Sequence, residues 1–108
     1  SADLLVSIIK NGDRLKEYRD WLFDLITVFG SIYHFMDINS ITKNLENFAD
    51  PDHYYPYIGT LVANKISGVD NHKIPDDFGL VLNKGNLDEY LNNFEKKLSL
   101  YNNSLPGN

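Results

Sequence analysis

The feature that most constrains the fold is a long helical repeat of apolar residues in the first third of the chain. Between residues 15 and 36 these side chains recur every three or four positions, the spacing that lines one face of an α-helix; they are Leu15, Tyr18, Leu22, Leu25, Phe29, Ile32 and Met36. Trp21, Val28 and Phe35 lie beside this face and widen it beyond what one neighbouring helix covers. We therefore expect a central, nearly enveloped helix, with Gly30 inside it allowing close helix packing.

Two shorter patterns predict helices on either side of this segment. The apolar stripe in residues 4–9 stops at Gly12, and Asp13 then caps the central helix. After the central helix, Asn39 or Ser40 caps a third helix, which ends before the next proline because that position disfavours helical backbone.

Two further helices have clear boundary signals. Pro56 suits the first turn of a fourth helix, where its missing N–H costs nothing, and Ser67-Gly68 ends that helix. Asn86 with Glu89 has the spacing of a capping box and begins the last helix, which ends near Tyr101.

The segment between these two helices is ambiguous. Residues 78–82, FGLVL, are compatible with a strand, but the chain shows no convincing second strand to pair with it. We therefore expect a short helix near residues 75–83. The sequence predicts an all-α fold: a compact single-domain bundle of about five helices over residues 1–101, with a flexible tail at 102–108.

Composition excludes several classes of function. The 108 residues include no cysteine, which rules out disulfides and thiolate–metal sites. A net charge of −5 disfavours nucleic acid and anionic membranes as partners and favours a basic protein. No nucleotide-binding or nucleophile motif is present, so we expect a non-enzymatic protein without a cofactor. The start, SADLLVSIIKNGDR, lacks the basic region of a signal peptide, and we expect a cytoplasmic protein.

The stretch ADPDHYYPYIGT, residues 49–60, is the main candidate for a binding surface. Exposed tyrosines are frequent at interface hot spots, because they add contact area at little entropic cost. With the acidic loop VDNHKIPDD at residues 69–77, the predicted partner-binding residues are Asp50, Asp52, His53, Tyr54, Tyr55, Asp70, Asp76 and Asp77. We expect Tyr55 to project into solvent and Tyr57 to pack into the core.

Two other interpretations of these loops stay open. In a purely structural one, Asp52 caps the fourth helix and the tyrosines pack their rings against the core with their hydroxyls in water. In the other, a metal ion is bound by Asp50, Asp52 and His53 with Asp70 and His72. The spacing matches no known metal motif, and we expect no metal site.

Tyr54-Tyr55-Pro56 resembles the Y-Y-P segment with which the immunity proteins of nuclease bacteriocins bind their toxin. The resemblance covers three residues, and the aspartate that the family has three places before the first tyrosine falls on Pro51. It implies a small acidic helical protein that binds a basic enzyme, and we assign no family from it.

The leading hypothesis is a protein-binding module that occupies a basic partner, with an inhibitor, immunity or antitoxin role as one instance. The alternative is an assembly subunit that forms a homo-oligomer through the apolar residues of the second helix. A small enzyme with a cryptic site is the third hypothesis.

Overall fold

The computed structural model describes residues 1–11, 13–69 and 73–104, and in these it contains four α-helices, one 3-10 helix and two β-strands. In chain order they are α1 (Ala2–Asn11), α2 (Leu15–Phe29), β1 (Ser31–His34), the 3-10 helix (Leu45–Asn47), α3 (Pro56–Ser67), β2 (Leu80–Asn83) and α4 (Leu87–Ser104). The two strands pair in a small antiparallel sheet. The expectation of an all-α bundle of about five helices is therefore wrong, and the fold is mixed α/β.

Gly30 ends the helix that was expected to continue to Met36. Its φ of +81° is a backbone conformation that glycine adopts without the steric cost of a side chain, and its N–H bonds to the carbonyl of Ile26. Beyond it, burial alternates along β1, with Tyr33 exposed and His34 buried, as a period-two strand requires. The three- and four-residue apolar spacing therefore continues to Ile32 and Met36 although the helix ends at Phe29.

The segment expected to be a helix near residues 75–83 instead contains β2. Pro75 and Phe78 close a turn through a backbone hydrogen bond of 3.1 Å, and Asp76 and Asp77 lie in that turn. Strand β2 follows, paired with β1. The partner strand that the sequence analysis did not find is β1, whose residues were expected to continue the second helix.

The third predicted helix is also wrong, because polar side chains bind the backbone of residues 37–47 in turns. The Asn39 side-chain oxygen accepts hydrogen bonds from the N–H groups of Ile41 and Thr42, at 3.0 and 2.9 Å. The Thr42 hydroxyl donates to the Asp37 carbonyl at 2.6 Å. Such local bonds compete with helix formation, and only the 3-10 helix Leu45–Asn47 forms here.

The other helix predictions are confirmed in their positions. Helix α3 begins at Pro56 and ends at Ser67, and the left-handed φ of +72° at Gly68 closes its last turn. Helix α4 begins directly after Asn86 and continues to Ser104, three residues past its expected end near Tyr101. One cap was assigned wrongly: Arg14, not Asp13, occupies the N-cap position of α2.

The chain divides into two compact units, Ser1–Leu5 with Tyr33–Leu80 and Val6–Ile32 with Val81–Asn108. The core of the first unit is formed by side chains of the turn region, α3 and the segment before β2: Ile41, Ile58, Leu61 and Phe78, with Phe35, Val62 and Ile74 packed against them. Ile66, in the last turn of α3, is exposed.

The core of the second unit joins α2 to α4. The ring of Phe94, fully buried, stacks on Tyr18 with centroids 4.6 Å apart, and the hydroxyls of Tyr18 and Tyr90 hydrogen-bond at 2.9 Å. Only three residues of α2 are buried, namely Tyr18, Leu22 and Ile26. The expectation that α2 is a central, enveloped helix is therefore wrong.

Among the helices in the described part of the chain, none combines the length and apolar character needed to cross a membrane.

Candidate functional site

The candidate site is a tight turn that leads directly into α3. Phe48 and Tyr54 form an isolated antiparallel bridge, and the N–H of Ala49 bonds to the carbonyl of His53 at 2.8 Å. We refer to residues 48–57 as the tyrosine turn. Hydrogen bonds within the turn hold its backbone in one conformation, and this fixes the positions from which its side chains extend.

The Asp50 side chain stabilises this turn by accepting hydrogen bonds from other residues of the turn. One carboxylate oxygen accepts hydrogen bonds from the N–H groups of Asp52 and His53, both at 2.9 Å, which is the geometry of an Asx turn. The same carboxylate binds the His53 ring at Nδ1, at 2.9 and 3.0 Å. Asp50 was predicted as a partner-binding residue, and the structure shows that its hydrogen-bonding capacity is largely used within the turn.

The Asp50–His53 pair shifts both acid–base equilibria. The hydrogen bond to Asp50, and secondly its negative charge, raises the pKa of His53 above its ordinary value. The hydrogen bond from His53, together with those from backbone N–H groups, lowers the pKa of Asp50. Both side chains are largely exposed, so solvent screens the pair and its contribution to stability is small.

We expect the turn to be tightest at mildly acidic pH. The contribution of His53, whose pKa is raised, is complete below 6.5 and is lost as the pH rises through its folded pKa. The contribution of Asp50, whose pKa is lowered, is present above 3.8 and is lost as the pH falls. An NMR titration of the His53 ring should therefore give a midpoint above 6.5. Asp50→Asn should move that midpoint down, and a wild-type midpoint at or below 6.5 would contradict the pairing.

All three tyrosines of the turn are exposed. Tyr54 is 54% exposed, Tyr55 43% and Tyr57 51%, and the rings of Tyr55 and Tyr57 stack with centroids 6.4 Å apart and planes at 14°. The prediction that Tyr57 packs into the core is wrong. Its ring is held at the surface because its hydroxyl donates to the side-chain oxygen of Asn47.

Asn47 is the residue of this site that sequence reasoning missed. It is buried, its side-chain nitrogen donates to the carbonyl of Ile41 at 2.9 Å, and its own carbonyl accepts the N–H of Tyr55 at 2.9 Å. Together with the bond to Tyr57, these contacts connect the turn to the core of the first unit. No motif marks this residue, which the sequence placed in a helix that does not form.

Asp52 does not cap the following helix. The N-cap position of α3 is Tyr55, with no side-chain hydrogen bond to the helix, and Pro56 supplies the first turn. The carboxylate of Asp52 is exposed and contributes, after Asp50, to raising the pKa of His53. This part of the structural interpretation is wrong, and Asp52, like Asp50, is exposed to solvent.

The acidic loop at residues 69–77 is only partly described, since Asp70 and His72 lie outside the described residues. Asp77 accepts hydrogen bonds from the N–H and hydroxyl of Ser40, both at 2.8 Å, so its carboxylate holds a turn. Asp76 is exposed. The described residues of this loop give no evidence that Asp76 and Asp77 join the tyrosine turn in one acidic face.

A cavity of about 560 Å³ on α3 brings a different residue of that loop near the tyrosines. It is lined by Ile41, Tyr57, Thr60, Leu61 and Lys73. Lys73 of this loop therefore lines the same cavity as Tyr57. The structure brings five predicted site residues together in the tyrosine turn: Asp50, Asp52, His53, Tyr54 and Tyr55.

Within residues 1–11, 13–69 and 73–104, no group of three or more His, Cys, Asp or Glu side chains is placed to hold a metal ion. Asp50 and His53 are bound to each other.

Comparison of the chain with protein-family models, with curated proteins and with solved structures gives no match. The Y-Y-P resemblance thus has no wider support, and the inhibitor or immunity role that it suggested is withdrawn.

Proposed function

We propose that the chain is a non-enzymatic protein-binding module that occupies a basic partner protein through the tyrosine turn. The observation that carries the proposal is the stacked, exposed pair of Tyr55 and Tyr57 on a backbone fixed by its own hydrogen bonds. A surface that is already ordered loses little entropy on binding, and tyrosine is among the residues that dominate interface energies.

Charge supports a basic partner. The chain carries a net charge of −5, and Asp50 and Asp52 lie within the turn itself. Carboxylates at the rim of an interface speed association with a positively charged surface and contribute less to the lifetime of the complex. Since Asp50 also holds the turn, Asp52→Asn is the substitution that tests this electrostatic role without altering the backbone.

Tyr55→Ala is expected to cost about 2 kcal/mol or more in partner affinity, as removal of an interface hot spot does. The same substitution should change stability by less than about 1 kcal/mol, because the ring is exposed. Tyr33→Ala is the matched control, since Tyr33 is 44% exposed against 43% for Tyr55 but lies in β1. The three proteins would be immobilised and used to capture proteins from an extract of the source cells, followed by affinity measurement on any basic protein retained.

The proposal predicts a basic protein that wild type and Tyr33→Ala retain, that Tyr55→Ala loses, and that salt releases. Equal capture by all three chains would contradict a role for the turn in binding. Loss of capture in proportion to a loss of folded protein would show that Tyr55 is structural. The proposal places the protein in the cytoplasm, where the lack of cysteine fits a reducing environment.

A further inference from the structure

Helix α2 carries apolar side chains on one side that the fold leaves exposed or only half-buried. Trp21, Leu25, Val28 and Phe29 follow one another by four, three and one positions, which places them on one side of the helix. Val28 is 73% exposed, Phe29 68% and Trp21 41%, and Leu25 is half-buried. We call these four residues the apolar strip. Contiguous apolar surface of this kind marks sites of association.

We propose that the apolar strip binds the same strip on a second copy of this chain, forming a weak homodimer. This inference rests on different residues from the tyrosine turn and does not depend on the function proposed above.

The spacing of the strip suits self-association. Steps of four and three residues are those of a coiled-coil seam, in which side chains of one helix fit between those of another at a small crossing angle. A two-fold dimer uses the same patch on both copies, so an uncharged strip is complementary to itself.

The net charge of this part of the chain favours a second copy over a basic partner. From Arg14 to Phe29 the chain has three cations and three anions, a net charge of zero in a protein of net charge −5; they are Arg14, Lys16, Arg19, Glu17, Asp20 and Asp24. Two ion pairs form within this segment, Arg14 with Glu17 at 2.6 Å and Lys16 with Asp20 at 2.7 Å. This neutral segment offers little to attract a basic surface, and the repulsion that a second copy must overcome comes from Asp24 and from the net charge of −5 on each chain.

The exposed area indicates a weak complex. Because a fully buried aromatic side chain covers about 150–250 Å², we take the strip at its observed exposures to offer on the order of 400 Å² per copy. With the surrounding rim, two copies would bury about 1,000 Å², the lower end of specific interfaces. We therefore expect a dimer that dissociates on dilution.

Trp21 provides a direct readout, because it is the one tryptophan in the chain. Sedimentation of the full chain over a wide concentration range should show the mass rising from 12.4 kDa towards twice that value. Over the same range the tryptophan emission should move to shorter wavelength and become less accessible to acrylamide. Added salt should strengthen the dimer, since it screens repulsion between two acidic chains.

Val28→Glu should keep the chain monomeric at every concentration and leave its helical circular dichroism and melting unchanged, because Val28 is exposed. Phe23→Glu is the matched control: Phe23 is 56% exposed on the same helix but faces away from the strip, and this variant should dimerise like wild type. Asp24→Asn should tighten the dimer, since Asp24 lies three residues from Trp21 and four from Val28 and borders the strip.

Three results would overturn the inference. The first is a monomer at all concentrations up to about 1 mM, which corresponds to an association free energy too weak to matter. The second is a dimer that Val28→Glu leaves intact. The third is a monomer whose tryptophan emission shifts only when a captured basic protein is added, which would assign the strip to that partner.

Discussion

Replacing Gly79 by alanine is expected to destabilise the protein by about 3 kcal/mol or more, combining left-handed strain with overpacking. Gly79 has a φ of +79°, and a Cβ there would lie 2.5 Å from Cε1 of Phe35 and 3.0 Å from Cγ of Lys65. The Phe35 ring packs edge-on against Phe78, with centroids 4.9 Å apart, and so cannot turn aside without disturbing the core of the first unit.

Gly68→Ala is the control for this substitution. Gly68 has a similar φ of +72°, but no atom lies within 4 Å of the position that a Cβ would take. The control therefore measures left-handed strain alone, about 1 kcal/mol. Urea unfolding followed by circular dichroism gives the free energy of unfolding of both variants. An equal loss of free energy at the two positions would show that the Phe35 ring moves aside without cost.

Phe94→Ala is expected to lower the free energy of unfolding by about 3–5 kcal/mol, the usual cost of deleting a fully buried phenylalanine. Phe94 is 0% exposed and stacks on both Tyr18 and Tyr90, with ring centroids 4.6 and 6.0 Å apart. Its loss leaves a cavity beside the hydrogen bond between the two tyrosine hydroxyls.

Leu100→Ala on the same helix is the matched comparison for Phe94→Ala. Leu100 is 70% exposed, so truncating it should change stability by no more than about 0.5 kcal/mol. Thermal and urea unfolding of both variants would test the assignment. A small loss for Phe94→Ala would mean that the second unit does not depend on this aromatic stack.

The helices that the sequence predicted correctly are those with local signals at their ends. Pro56 and Gly68 bound α3, and each acts through its own backbone geometry. The sheet depends on pairing between residues about fifty positions apart, which no local pattern reports. Gly30 was interpreted as a packing position because the apolar spacing continues past it, and the hydrogen bonds made by Asn39 cannot be read from the order of residues.

The candidate site was predictable in composition but not in arrangement. The tyrosines and aspartates of residues 49–57 do lie together at the surface, as a loop rich in proline and aspartate suggests. What the sequence did not indicate is that Asp50 serves the turn itself, and that Tyr57 stays exposed because Asn47 binds its hydroxyl. Both depend on side-chain hydrogen bonds formed only in the folded chain.

The contacts of Asn47 separate the residues that shape this surface from those that a partner would meet. The buried side-chain amide of Asn47 accepts the hydroxyl of Tyr57 and donates to the carbonyl of Ile41, and its backbone carbonyl accepts the N–H of Tyr55. An engineer seeking new specificity can therefore vary Tyr54, Tyr55 and Asp52 freely while keeping Asn47 fixed. A change at Asn47 would instead remove the side-chain bonds to Tyr57 and to the carbonyl of Ile41, although Asn47 itself is buried beneath the surface.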